Sequence, residues 1–176
     1  DFYESLLPKF RNKLNFHWAL EALEENSYSS KDDISDETTL SKTLDDATDD
    51  TSAHNQSSIV FLLETDEKQK FLFTGDAGRD AFNHVPQTLL GKVKDVTWMK
   101  VPHHGSKHNL DSTIIKHVNP EIAYISTEKQ GKYLNRSTVF ALKKNGTKVY
   151  STSQNRSTIR HGAIKTREGW TKIEPM

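Results

Sequence analysis

Two short stretches of this chain carry residue types suited to metal and acid–base chemistry. Phe73-Thr74-Gly75-Asp76 ends an apolar run with a carboxylate, and Val101-Pro102-His103-His104-Gly105-Ser106 ends another with two adjacent imidazoles. An acid at the C-terminal end of a strand stands where open α/β sheets place their ligands. Gly75 lets the backbone turn and lets another group come close. Asp76 could equally cap a helix over the residues that follow. Neutral imidazole is the commonest metal ligand, and of two neighbours one can ligate while the other supports it or faces the substrate. His103 and His104 are therefore candidate ligands. His103 and Ser106 are candidate catalytic groups, with Ser106 able to contact a phosphate or cap the next helix. The plain alternative for the pair is a polar surface loop.

The elements that must position these groups alternate between strand and helix. Ser57–Glu64 and Lys70–Thr74 read as strands joined by a turn at Thr65–Lys68, the first suited to burial on both faces. Residues 78–90 read as a helix interrupted near Pro86, 95–101 as a strand and 110–118 as a helix. A strand over 121–126, a helix over 137–144 closed by Asn145-Gly146 and a strand over 147–151 follow. Residues 158–161 and 170–173 are candidate edge strands. Such alternation predicts an α/β sheet. Upstream, Leu6, Leu7, Phe10, Leu14, Leu20 and Leu23 give residues 1–25 a helical spacing. Residues 26–54 are rich in Ser, Thr and Asp and read as an acidic flexible linker or surface loop, open to a protease.

The net charge of zero is a cancellation. Residues 21–50 hold eleven acids and two bases, a net of −9, whereas 91–176 hold sixteen bases and six acids, a net of +10. The basic half permits a polyanionic partner such as nucleic acid. With no cysteine in the 176 residues, disulfides, thiolate metal sites and a cysteine nucleophile are excluded, so a metal would need His and carboxylate ligands. No apolar run reaches the about 20 residues that span a bilayer, and no signal peptide is recognisable, so a cytoplasmic location without membrane contact is expected. A start at Asp1 rather than Met is expected of a processed product or one piece of a longer protein.

Taken in order, Asn55-Gln56-Ser57-Ser58-Ile59-Val60, Phe71–Asp76, Val96–Ser106 and Asn119-Pro120-Glu121-Ile122-Ala123-Tyr124-Ile125-Ser126 resemble the later motifs of metallo-β-lactamase-fold hydrolases. The branch they resemble is the hydrolase domain of ComEC/Rec2 DNA-uptake proteins, over roughly residues 54–162, with Gly146–Thr152 matching a late strand. The resemblance implies an α/β fold, half of an αββα sandwich with a mixed sheet flanked by helices, over residues 55–176. It implies two divalent metal ions, Zn or Mn, with Asp76 bridging them and His104, or His103 in its place, as the last histidine ligand. The family's His-x-His-x-Asp-His motif is absent, and His17 and His54 lack its neighbours. That departure implies an N-terminal half lying on another chain or upstream, or else a degenerate member, and it implies that this chain alone is inactive.

The leading functional expectation is a metal-dependent phosphodiesterase or nuclease acting on DNA. The rivals are a small-ester or lactone hydrolase of the same fold, and a non-catalytic interaction module released by proteolysis. Lesser expectations attach to other side chains. Lys107, Lys132, Arg136, Arg156 and Arg160 could line a phosphate-binding face, His108 and Tyr133 could touch substrate, and Trp98 belongs in the core. His84 and His117 read as helix-surface residues.

Overall fold

The computed structural model describes residues 37–127, 134–154, 158–162, 165 and 167–176. The helix expected over 2–25 lies outside the described residues, as do Lys132, Tyr133 and Arg156.

The elements run α1 (Glu37–Asp45), α2 (Ala53–Gln56), β1 (Phe61–Glu64), β2 (Lys70–Phe73), α3 (Arg79–Asn83), α4 (Gln87–Leu90), β3 (Trp98–Lys100), α5 (Ser112–Val118), β4 (Ile122–Ile125), α6 (Arg136–Lys144), β5 (Lys148–Ser151), β6 (Thr158–Arg160) and β7 (Trp170–Lys172). Strands β1 to β5 lie side by side in chain order. β1 and β2 form an antiparallel hairpin, with Phe61 opposite Phe73, and the remaining neighbours are parallel. The fold is therefore α/β with a mixed sheet. Among the described residues β6 and β7 pair only with each other.

Parallel neighbours need helical crossovers, and local chemistry starts and stops those helices. The Asp111 carboxylate accepts from the Ile114 N–H at 2.7 Å and opens α5, which ends at Asn119 in a left-handed conformation. Asn135 caps α6 in the same way through the Ser137 N–H at 2.9 Å. The crossovers bury Phe82, Ile114, Ile115, Val118 and Leu142 against Leu72, Met99, Ala123, Ile125 and Val149 of the sheet. Side chains alternate along a strand, so the sheet's other face carries a second set. There Phe61, Phe73, Trp98, Tyr124 and Tyr150 stand in succession, with ring centroids 4.6 to 5.7 Å apart. Trp98 thus joins an aromatic ladder rather than the helix-side core.

Two sequence expectations differ from what is observed. Regular pairing begins at Phe61 rather than Ser57, and β1 is an edge strand with Phe61 and Leu63 half exposed, not a strand buried on both faces. The described part of the acidic stretch, from residue 37, is built into the fold. Leu40 and Leu44, four residues apart, put one face of α1 into the core beside α6, and Leu44 is fully buried. Two leucines suffice because a helix lying on an existing core needs only one apolar stripe. Several aspartates here have specific partners. Asp45 accepts from the Ser112 N–H at 2.8 Å, and Asp49 pairs with Arg79 at 2.9 Å.

Candidate active site at the strand ends

β2 and β3 are parallel neighbours, so the turns that follow them emerge together at one edge of the sheet. Backbone and side-chain bonds join these turns. The Thr74 hydroxyl donates to the Lys100 carbonyl at 2.7 Å, and the His103 N–H donates to the Gly75 carbonyl at 3.3 Å. The Lys100 ammonium donates to the Gly75 carbonyl and stands 3.2 Å from the Asp76 carboxylate. Gly75 has φ +55°, and a Cβ there would fall 2.9 Å from the Ser58 Cβ. That approach lets the Ser58 hydroxyl accept from the Asp76 N–H at 3.1 Å.

The histidine turn is conformationally costly. His103, His104 and Gly105 have φ of +42°, +54° and +89° in succession. Each non-glycine residue in this region gives up on the order of 1 kcal/mol or more, so the surroundings must enforce the turn. Pro102 fixes its entry, and the Gly105 carbonyl accepts from the Asn135 N–H at 3.2 Å. Ser106 is buried. Its N–H donates to the His103 carbonyl at 3.0 Å, and its hydroxyl accepts from the His108 N–H at 3.2 Å. This geometry gives Ser106 the work of clamping the loop.

Both imidazoles are anchored through Nδ1. His104 Nδ1 meets the Ser126 carbonyl, and His103 Nδ1 lies 3.1 Å from Asp50 Oδ2. Ligating histidines are commonly oriented in this way, with an acceptor on one ring nitrogen and the other nitrogen left to bind. Asp50 is the residue that the sequence did not disclose. Its Oδ2 also accepts from Asn55 at 2.7 Å and Asn109 at 3.0 Å, and its Oδ1 accepts from the Ser52 N–H at 2.9 Å. Burial pushes the Asp50 carboxyl up, but these bonds outweigh it and hold the group at about 2. Asn109, fully buried, extends the same amide nitrogen to the Asp76 and Ala77 carbonyls at 3.1 and 3.3 Å. One amide thus connects the anchor of His103 to the turn that carries Asp76. Asn55 and Ser58, noted only as a strand motif, both serve this cluster.

The structure therefore brings Asp76, His103 and His104 to one edge. Among the described residues, however, no group of three or more His, Cys, Asp or Glu side chains is placed to hold a metal ion. The chemistry of the donors suits a metal, but among the described residues their number does not fit a two-metal centre. His108 is placed elsewhere than at an open substrate face. It is buried, with Nδ1 on the Thr48 carbonyl at 2.6 Å. Arg136 lines a groove with Leu40, Val139 and Phe140 between α1 and α6. His84 and His117 bond nearby carbonyls of Asp80 and Leu90.

The chain is similar to the ComE operon protein 3 of Bacillus subtilis (strain 168), with 30% identity over 128 residues. The matched region is 72% of this chain but 16% of that relative, so the chain corresponds to a small part of it. The likeness to ComEC/Rec2 proteins read from the motifs thus has a counterpart in an alignment over most of the chain. No family model matches the chain, and no solved structure does. Among the described residues no helix is long and apolar enough to cross a membrane.

Proposed function

We propose that this chain is the C-terminal part of a ComEC/Rec2-like hydrolase domain that cleaves phosphodiester bonds of DNA. The observation that carries this reading is the meeting of Asp76, His103 and His104 at adjacent strand ends, with each imidazole anchored through Nδ1. Asp76, His104 and His103 would be this chain's share of a centre for divalent ions such as Zn or Mn. The missing ligands would come from an N-terminal segment that carries His-x-His-x-Asp-His. The aromatic sheet face gives such a segment an apolar surface on which to complete a second layer, as in an αββα sandwich. The net charge of +10 over 91–176 suits a polyanionic substrate.

The test is an assay of the complete protein that bears this chain, with plasmid and single-stranded DNA and with Mn²⁺ or Zn²⁺ supplied. DNA cleavage that disappears in Asp76→Ala and His104→Ala supports the reading. Intact DNA alongside cleavage of a chromogenic ester would favour the small-ester hydrolase instead.

A further inference from the structure

The cluster beneath His103 is more elaborate than a loop anchor requires. The Asp50 and His103 side chains are mostly buried, at 10% and 17% exposure, and approach to 3.1 Å although 53 residues separate them. Two assignments of the His103 ring proton are open to a neutral imidazole. With the proton on Nε2, a bare Nδ1 would face a carboxylate oxygen at 3.1 Å, lone pair against lone pair. The Asn55 amide, a donor near Nδ1, stands off at 3.3 Å and makes its shorter bond, 2.7 Å, to Asp50 itself. With the proton on Nδ1, Asp50 Oδ2 accepts three bonds, from His103, Asn55 and Asn109, and no lone pairs are opposed.

Asn109 fixes the sense of this network. Its Nδ2 faces three oxygens, those of Asp50, Asp76 and Ala77, while its Oδ1 has no hydrogen-bond partner among the described residues. A flipped amide would set oxygen against all three acceptors, so Nδ2 must lie on this side and Asp50 must be an acceptor.

We propose that Asp50 is the positioning residue of the site. It holds His103 as the Nδ1–H tautomer, so that Nε2 is the ring's lone-pair atom. This assignment rests on the hydrolase reading for its purpose, but its geometry can be tested without any activity. A carboxylate does this better than a carbonyl because it accepts a charge-assisted hydrogen bond from the ring N–H.

The experiment is ¹⁵N NMR of the histidine rings in the full 176-residue chain, at a pH above the ordinary imidazole range. His103 is expected to show a protonated Nδ1 and a bare Nε2. His117, whose Nε2 meets the Leu90 carbonyl, supplies the opposite tautomer as an internal reference. In Asp50→Ala the His103 pattern should invert to the Nε2–H form that free imidazole prefers. Asn109→Ala removes a buried amide but keeps the carboxylate, so His103 should remain Nδ1–H despite the lost packing. An Nε2–H pattern in the unaltered chain would overturn the assignment, as would an unchanged pattern in Asp50→Ala. If Asp50→Ala does not fold, the unaltered chain and Asn109→Ala still decide. A complete protein that leaves DNA intact while His103 shows the Asp50-dependent pattern would refute the hydrolase reading and leave the positioning role supported.

Discussion

The main-chain N–H of His103 donates to the carbonyl of Gly75, which makes the histidine turn and the aspartate turn one hydrogen-bonded unit across two parallel strands. Disturbing either turn should therefore move the other.

Gly75→Ala tests that coupling. The new Cβ would fall 2.9 Å from the Ser58 Cβ, and the left-handed φ of +55° would strain an alanine in any case. The expected cost is about 1–3 kcal/mol of stability, with loss of the Ser58–Asp76 bond. Chemical denaturation reads the stability, and altered His103 ring resonances read the coupling between the two turns. A variant of unchanged stability with an unchanged His103 spectrum would show that the turns are independent.

Arg79 fastens the acidic segment to the site's supporting loop. It is buried and donates to the carbonyls of Leu44, Ala47, Lys107 and Leu110 while pairing with Asp49. Arg79→Ala leaves these acceptors unpaired and should destabilise the fold by about 3–5 kcal/mol. Arg79→Lys should recover little, because an ammonium cannot reproduce the planar fork that serves four carbonyls. Urea midpoints of the two variants check this, and full recovery by lysine would contradict it.

Leu44 belongs to the core although it lies in the stretch whose composition predicts a linker or surface loop. Leu44→Ala should cost about 2–5 kcal/mol through a cavity between α1 and the sheet helices. A loss below about 0.5 kcal/mol, the range of a surface substitution, would return this segment to the status of a linker.

His108 predicts an acid-sensitive fold. Burial holds its imidazole below the ordinary value of 6.5, with Lys107 and Arg79 acting in the same direction against the Thr48 carbonyl and the Asp50 charge. The unfolded chain therefore takes up this proton at a pH where the folded chain does not. The contribution is fully present above about pH 6.5 and is lost as pH falls toward the lowered folded value. Unfolding free energies measured from pH 7.5 down to 5 should decline, and the decline should be shallower in His108→Gln. An identical pH dependence in the variant would remove His108 as its source.

The sequence made legible what is local. A glycine and an acid at a strand end, and two histidines between proline and glycine, announce turns that carry functional groups, and strand–helix alternation announces the α/β sheet. Asp50 was not legible. It lies among neighbouring aspartates in a polar run, and its partners are in part far along the chain, at His103 and Asn109. The burial of Asn109 was equally hidden, since a loop asparagine carries no local mark of a buried amide. The exposure of β1 was missed because an apolar run reads the same whether its second face is covered by this chain or left open for another layer.

The most direct measurement is the rate of DNA cleavage by the complete protein that bears this chain, followed with metal supplied and across a range of salt concentrations. Cleavage should fall steeply with rising salt. It should drop by at least about 100-fold in Asp76→Ala and His104→Ala, the scale on which essential polar groups act. Cleavage that persists in both variants, or DNA left intact by a folded, metal-loaded protein, would contradict it.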